Sequence, residues 1–343
     1  MENYFVSIII PIYKVEAYIE RCLNSVMFQD SSAVSIECVL VDDCSPDNSM
    51  IIAKNLIKNY SGTVSFKIIS HEKNKGLSAA RNTGMKYASG DFFYFLDSDD
   101  YISEDCIMHF YNAVMKYPDV EVVKGNHKGR IQINTSKIPS CLLHNKSILN
   151  LLYTGVIPVM AWNTLIKRTV INNANLVFIA GMIYEDNLWT VQLFRNVNSF
   201  LFIPDVTYYY EENGNSITGN SCNSIQAKAL PHFIIMIDEL MSSFDSKHFV
   251  PYTFFIISRM MQMIDLILKD RSIDSDLIEV VLNQRNRLLM YTFQNCRFIL
   301  VLFEFLLYPP LWYLMKLRVF RRNYDSLVKI VYKIAMIRES FYS

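Results

Sequence analysis

The feature that most restricts the fold is an alternation in the first third of the chain. Short apolar, β-branched runs take turns with stretches whose apolar residues recur at helical spacing. Phe5–Ile10, Ile36–Val41, Val64–Ile69 and Phe92–Leu96 read as strands. Val15–Phe28 (Tyr18, Ile19, Cys22, Leu23 and Val26), Ile51–Ile57, Leu77–Tyr87 and Ser103–Met115 read as helices. The strands are continuously apolar, so both of their faces are expected to be covered. That is the habit of a mostly parallel sheet with helices on either side, an α/β architecture.

The remainder is read more coarsely. Between 120 and 225 the chain is punctuated by Asn, Gly and Pro, and only Val197–Ile203 and Val206–Tyr210, around a Pro204-Asp205 turn, look like strands. From Ser224 onward the pattern is almost wholly helical, which sets a division into 1–223 and 224–343. A hydrophobic content of 51% supplies a core and excludes a disordered chain. Thirty-three basic residues balance 33 acidic ones, so no nucleic-acid partner is expected, because that needs a basic footprint. The seven cysteines are scattered and never form a CxxC pair, which fits reduced thiols in a cytoplasmic protein better than a disulfide framework or zinc site. The opening MENYFVSIIIPIYK lacks the basic flank and cleavage site of a signal peptide.

In open α/β sheets, ligands bind beyond the carboxyl ends of the strands. After the first strand stands Pro11-Ile12-Tyr13-Lys14, with no glycine loop, so a dinucleotide fold and a P-loop are both excluded. After the second stand Asp42 and Asp43, suited either to ribose hydroxyls and a base edge or to capping the next helix. After the third, Lys73, Lys75 and Arg81 form a basic cluster suited to a diphosphate, or else a solvated lysine loop. After the fourth comes Asp97-Ser98-Asp99-Asp100. Three carboxylates in four residues repel one another unless a cation joins them, and Mg²⁺ typically takes one or two carboxylates plus substrate phosphates. Asp97 and Asp99 share one side of an extended segment, and Asp100 faces away, placed to cap the following helix. Glu185 and Asp186 head a helical stretch, where acids are favoured by the dipole in any case.

Taken together these blocks resemble the inverting glycosyltransferases of family 2, of the GT-A fold. The matching stretches are residues 8–29, 39–49, 71–84 (HEKNKGLSAARNTG), 94–100 (YFLDSDD), 184–189 (YEDNLW) and 208–218. The resemblance implies a GT-A, Rossmann-like domain with an α-helical C-terminal region, its nucleotide-binding half about 1–118 and its acceptor side about 119–223. It implies a nucleotide-sugar donor, usually UDP-linked, and Mn²⁺ or Mg²⁺. By matching position, Pro11, Tyr13 and Asp43 would frame the base, with Glu16 and Asn74 in the same pocket. Arg81 and Lys75 would approach the base or diphosphate, Asp97 the ribose and metal, and Asp99 would ligate the metal. Asp186 would be the general base, with Glu185 supporting it or touching the acceptor. The sequence departs from the family pattern at Lys14, where Asn is usual, and at Cys44, where Gly is usual, which relaxes any demand for a positive φ there. Glu211 and Glu212 stand where Arg or His is frequent, leaving Lys73 or Lys75 to offset the leaving-group charge.

The C-terminal region adds a membrane expectation. Cys296–Leu317 is apolar apart from Arg297, Glu304 and Lys316, and Pro309-Pro310 breaks it. A span needs about 20 mostly apolar residues in one helix. A broken helix in the interface, over 296–322, suits the pattern better, with Trp312 and Tyr313 at headgroup level. From Tyr291 onward, eight Lys/Arg against three acids leave +5, which suits anionic lipid. The alternative is a buried helical pair packed on the catalytic domain or on a second subunit, which leaves a homo-oligomer open. The expectation is therefore a transferase attached peripherally to the cytoplasmic face of a plasma membrane, acting on a glycan or lipid-linked acceptor of a surface polysaccharide, with a catalytically silent membrane scaffold subunit of the same fold, or a nucleotidyltransferase, as the alternative.

Overall fold

The computed structural model describes residues 5–129, 137–211, 213, 223–243 and, between 251 and 290, parts of two further helical stretches. The chain divides into two compact units, residues 1–152 with 156–214, and residues 153–155 with 215–343.

The first unit opens with β1 (Phe5–Ile12), α1 (Ile19–Met27), β2 (Ser35–Asp42), α2 (Ser49–Asn59), β3 (Ser65–Ser70), α3 (Leu77–Tyr87) and β4 (Phe92–Phe95). These strands run parallel in the order β3-β2-β1-β4. Ile8, Ile10, Cys38, Leu40, Tyr94 and Leu96 form one buried face of the sheet with Ile19, Cys22, Leu23 and Val26 of α1. On the other face α3 lies so close that a Cβ on Gly84 would collide with Ile9 Cγ2, so the helix needs its glycine there.

The less regular middle is richer in structure than its composition suggests. It holds β5 (Tyr101–Ile102), α4 (Cys106–Lys116), β6 (Val122–Gly129), β7 (Leu143–His144), α5 (Lys146–Tyr153), β8 (Thr164–Lys167), α6 (Arg168–Asn173), α7 (Glu185–Arg195) and β9 (Ser199–Tyr210). β8 inserts antiparallel between β4 and β6, and the sheet continues β6-β9-β5, with β7 also on β9. The two strands read around Pro204-Asp205 are one strand: β9 pairs with β6 on both sides of that dipeptide, and the register shifts there as at a bulge. Proline cannot donate to the ladder, so the strand absorbs it as an irregularity instead of ending.

In the second unit α8 (Asn223–Ser242) buries Leu230, Phe233, Met236, Ile237 and Leu240. Tyr252, Phe255, Ile256 and Met260 are buried too, and the Tyr252 hydroxyl donates to Leu240 O at 2.8 Å. The segment 296–322 lies outside the described residues. Among the described residues, no helix is long and apolar enough to cross a membrane.

Candidate active site

Because β1 to β4 are parallel, their C-terminal ends share one sheet edge, and the singled-out residues gather there. The first two connections are tied together by backbone donors. Lys14 N–H donates to Ser45 Oγ (2.8 Å), Val15 N–H to Ser49 Oγ (3.0 Å) and Glu16 N–H to Asp47 Oδ2 (3.0 Å). Glu16 answers by accepting the backbone and side-chain N–H groups of Asn48, so both of its oxygens serve the start of α2. Lys14 and Cys44 have φ of 55° and 58°. The expected relaxation at Cys44 is therefore wrong: the turn keeps its left-handed residue without glycine, and the surrounding hydrogen bonds hold it there. Pro11 is buried, whereas Tyr13 is 39% exposed.

Asp43 is buried and closes the next connection. It accepts the backbone N–H groups of Lys75 and Gly76, each at 2.8 Å, and lies 2.7 Å from His71 Nδ1. His71 Nε2 meets Thr83 Oγ1 at 2.9 Å. Asp43 thus shapes the turn that starts α3, and His71, which sequence reasoning passed over, fixes it from behind. Asp42 accepts Ser45 N–H and makes a turn, not a helix cap. Lys73, Asn74 and Lys75 are exposed on the turn.

Arg81 does not join those lysines in a basic cluster. It is 1% exposed, and three carboxylates enclose its guanidinium. Nη1 donates to Glu185 Oε1 (2.7 Å) and Asp186 Oδ1 (2.8 Å), and Nη2 donates to Asp97 Oδ1 (2.8 Å). Burial works against the cation, but the charges of Asp186, Asp97 and Glu185 outweigh it and hold the group protonated. The next residue, Asn82, exchanges two hydrogen bonds with the Phe178 backbone (2.7 and 2.8 Å). Phe178 stacks on Trp189 of α7, 4.3 Å between ring centres. One turn of α3 therefore grips both the end of β4 and the start of α7.

The helix-cap alternatives for the acids fail for the same reason. α7 begins after Tyr184, which has φ 61°, and no side chain caps it; Glu185 and Asp186 turn to Arg81 instead. Asp100 does not cap α4. It is 1% exposed, and accepts the Tyr208 hydroxyl (2.6 Å) and Glu211 N–H (2.9 Å), fastening the end of β9. Burial, then the charges of Asp99 and Asp97, push its carboxyl up to about 8. Burial and the neighbouring Asp97 raise Asp99 as well. Asp186 is raised by burial, with Arg81 opposing, and Glu185 by burial and the Asp186 charge.

Asp97 and Asp99 fit a hard divalent cation. Arg81 takes one oxygen of Asp97 and Asn213 one oxygen of Asp99 (3.0 Å), which leaves the other oxygen of each carboxylate for an ion. Among the described residues, no three His, Cys, Asp or Glu side chains could hold a metal by themselves. Glu211 finds its own partner: Arg21 of α1 lies 3.3 Å away and over the Tyr101 ring. Sequence reasoning missed Arg21 because nothing in α1 marks one charged residue among several.

Residues 7–173 match the family model for glycosyl transferase family 2. Over that stretch, just under half of its length, the chain is similar to glycosyl transferase family 2. It is 31% identical over 222 residues to the uncharacterized glycosyltransferase EpsJ of Bacillus subtilis, covering 62% of this chain and 62% of that protein. It is 29% identical over 208 residues to the poly(ribitol-phosphate) beta-N-acetylglucosaminyltransferase TarS of Staphylococcus aureus, covering 60% of this chain and 35% of TarS. This chain thus spans between a third and under two thirds of those relatives' lengths. In fold it is similar to S. aureus TarS 1–349 in complex with UDP-GlcNAc, at 20% identity and a TM-score of 0.66, covering 83% of this chain and 80% of that one. A mannosyltransferase of Pyrobaculum calidifontis in complex with GDP-Man and Mn²⁺ aligns with a TM-score of 0.55 at 13% identity, covering 98% of this chain and 87% of that one. The GT-A expectation for the first unit stands.

Proposed function

We propose that the chain is an inverting, metal-dependent glycosyltransferase that moves a sugar from a nucleoside-diphosphate donor, UDP-linked, to a glycan or lipid-linked acceptor in bacterial surface-polymer synthesis. The observation that carries this reading is the Arg81 junction, which joins the Asp97 end of β4 to Asp186 at the start of α7. In the proposal, Tyr13 and the turn shaped by Pro11 and Asp43 receive the base, and Lys73 and Lys75 offer charge to the diphosphate. Glu16 and Arg81 act as positioning residues, since both Glu16 oxygens and both Arg81 Nη atoms are engaged within the protein. Asp97 and Asp99 hold Mn²⁺ or Mg²⁺. Bound there, the ion supplies positive charge to the leaving diphosphate. Asp186 accepts the proton of the attacking acceptor hydroxyl, and its raised carboxyl is a stronger proton acceptor than an ordinary aspartate. One in-line displacement inverts the anomeric centre, and no carboxylate nucleophile is needed. Names of similar proteins, which act on poly(ribitol-phosphate), support a surface-polymer acceptor. The apolar, basic segment 296–322 supports attachment to the cytoplasmic membrane face.

The test is a melting screen with nucleotides and nucleotide sugars, with and without Mn²⁺. Ligand at 100 times its Kd adds about 2.7 kcal/mol to the native state. A Mn²⁺-dependent shift with UDP, larger with one UDP-sugar, is expected. Asp186→Asn should keep that shift and lose transfer. No shift with any nucleotide, or substantial turnover by Asp186→Asn, refutes the assignment.

A further inference from the structure

Lys124 of β6 is a buried cation for which the mechanism above has no use. It is 2% exposed, in a strand that otherwise buries Val122 and Val123. An ammonium carries three N–H donors and no acceptor. Lys124 Nζ meets three acceptors: Met160 O at 2.8 Å, Thr164 Oγ1 at 2.8 Å and Trp162 O at 3.2 Å. It also lies 5.8 Å from the centre of the Trp162 ring. A neutral amine has only two N–H bonds and could meet all three oxygens only if the Thr164 hydroxyl left Trp162 O, 3.1 Å away, and donated to the amine, so the charged form is the one that serves all three with that bond in place. Burial opposes that and pulls the group down to about 7, while Asp186 favours the charge.

The two carbonyls belong to the residues on either side of Ala161. Ala161 N–H donates to Asp186 Oδ2 at 3.3 Å, and Arg81 holds Asp186 Oδ1. We propose that Lys124 is a positioning residue: by pinning the carbonyls of Met160 and Trp162, it aims the Ala161 amide at Asp186 Oδ2 and fixes the carboxylate between that amide and Arg81. The functional consequence rests on the reading of Asp186 as the base, but the geometry does not. An apolar side chain of similar length would fill the space and leave both carbonyls unpinned. The charged groups around Asp186 are Lys124 on β6, Arg81 on α3, Glu185 on α7 and Asp97 beyond β4. Removing Lys124 takes away one of the two cations.

The experiment uses the full chain labelled with ¹⁵N-alanine. The Ala161 amide signal is expected to be protected from exchange and to follow the ionisation of Asp186, with Asp186→Asn abolishing that pH response. In Lys124→Met, Ala161 exchange should speed up at least tenfold, and the midpoint of its pH response should rise by about one pH unit. The melting shift with UDP and Mn²⁺ should stay at the wild-type value, which shows the donor side intact. Should Lys124→Met fail to fold, Thr164→Val removes one acceptor, keeps the ammonium, and should move both signals in the same direction by less. An Ala161 amide unchanged in exchange and pH response in whichever variant folds overturns the proposal. Because the amide needs no turnover, loss of the base assignment would appear separately, as transfer retained by Asp186→Asn.

Discussion

Replacing Arg81 by methionine keeps the length of the side chain and removes the cation at the centre of the site. Three carboxylates are left behind, with side-chain exposures of 23% for Asp97, 9% for Glu185 and 19% for Asp186. Stranding the partners of a buried cation costs about 3–5 kcal/mol. Water reaches Asp97 and Asp186 in part, so the lower end of that range applies to them, and Glu185 bears the most. For a unit of about 200 residues, each kcal/mol moves Tm by about 2–4 °C, so a fall of about 6–20 °C is expected without divalent cation. The loss should depend on pH. Glu185 and Asp186 already have raised pKa values in the folded protein. Between the ordinary carboxylate range and those raised values, the folded state holds protons that the unfolded chain has released, so stability declines as pH rises. Without Arg81 the values climb further and the decline steepens. Melting curves at pH 5 and pH 8 should therefore show a larger gap between wild type and Arg81→Met at pH 8. Arg81→Lys should recover only part of it, since an ammonium lacks the planar fork that reaches three carboxylates. An unchanged Tm, or the same gap at both pH values, would refute the account of Arg81 as the neutralising junction.

Asp99→Asn removes a carboxylate that burial and the neighbouring Asp97 already disfavour in its charged form. Its metal-free Tm should hold or rise while the Mn²⁺-dependent part of the UDP melting shift disappears; a preserved Mn²⁺ response would remove Asp99 from the metal site. Glu37 lies at the opposite end of the sheet, where burial alone would raise its carboxyl, but donors from Ser7, Ser89 and Lys67 hold it below the ordinary value. Glu37→Gln should cost about 1–3 kcal/mol at pH 7, by urea titration, because buried donors lose their charged acceptor. A depressed value stabilises above the ordinary Glu range and is lost as pH falls through the native one, so the two proteins should converge in acid. Gly84→Ala should cost about 1–3 kcal/mol by overpacking against Ile9, and combining it with Ile9→Ala should cost less than the two separately.

Several elements were legible because their signals are local. Continuous apolar runs specified β1 to β4, helical spacing specified α1 to α3, and the end of each strand pointed to Asp43, Asp97 and Asp99. β8 and β6 were not legible, because Val122–Gly129 and Thr164–Lys167 become strands by pairing with each other, β8 also with β4 and β6 also with β9, across dozens of residues. The one visible sign of Lys124 was a lysine in the apolar run Val122-Val123-Lys124, and no pattern names its acceptors.

The sequence by itself determined which side chains stand at the strand ends, since chain direction and periodicity are properties of consecutive residues. Only the tertiary structure decided what each of them does there. Arg81 looked like a partner of the neighbouring lysines, yet it pairs with acids 16, 104 and 105 residues away. Asp100 looked like a cap for the helix beside it, yet it fastens β9 from 108 residues away. A buried charge takes whichever opposite charge the fold brings within hydrogen-bond reach, because leaving it unpaired in a low-dielectric interior costs more than any local preference can return.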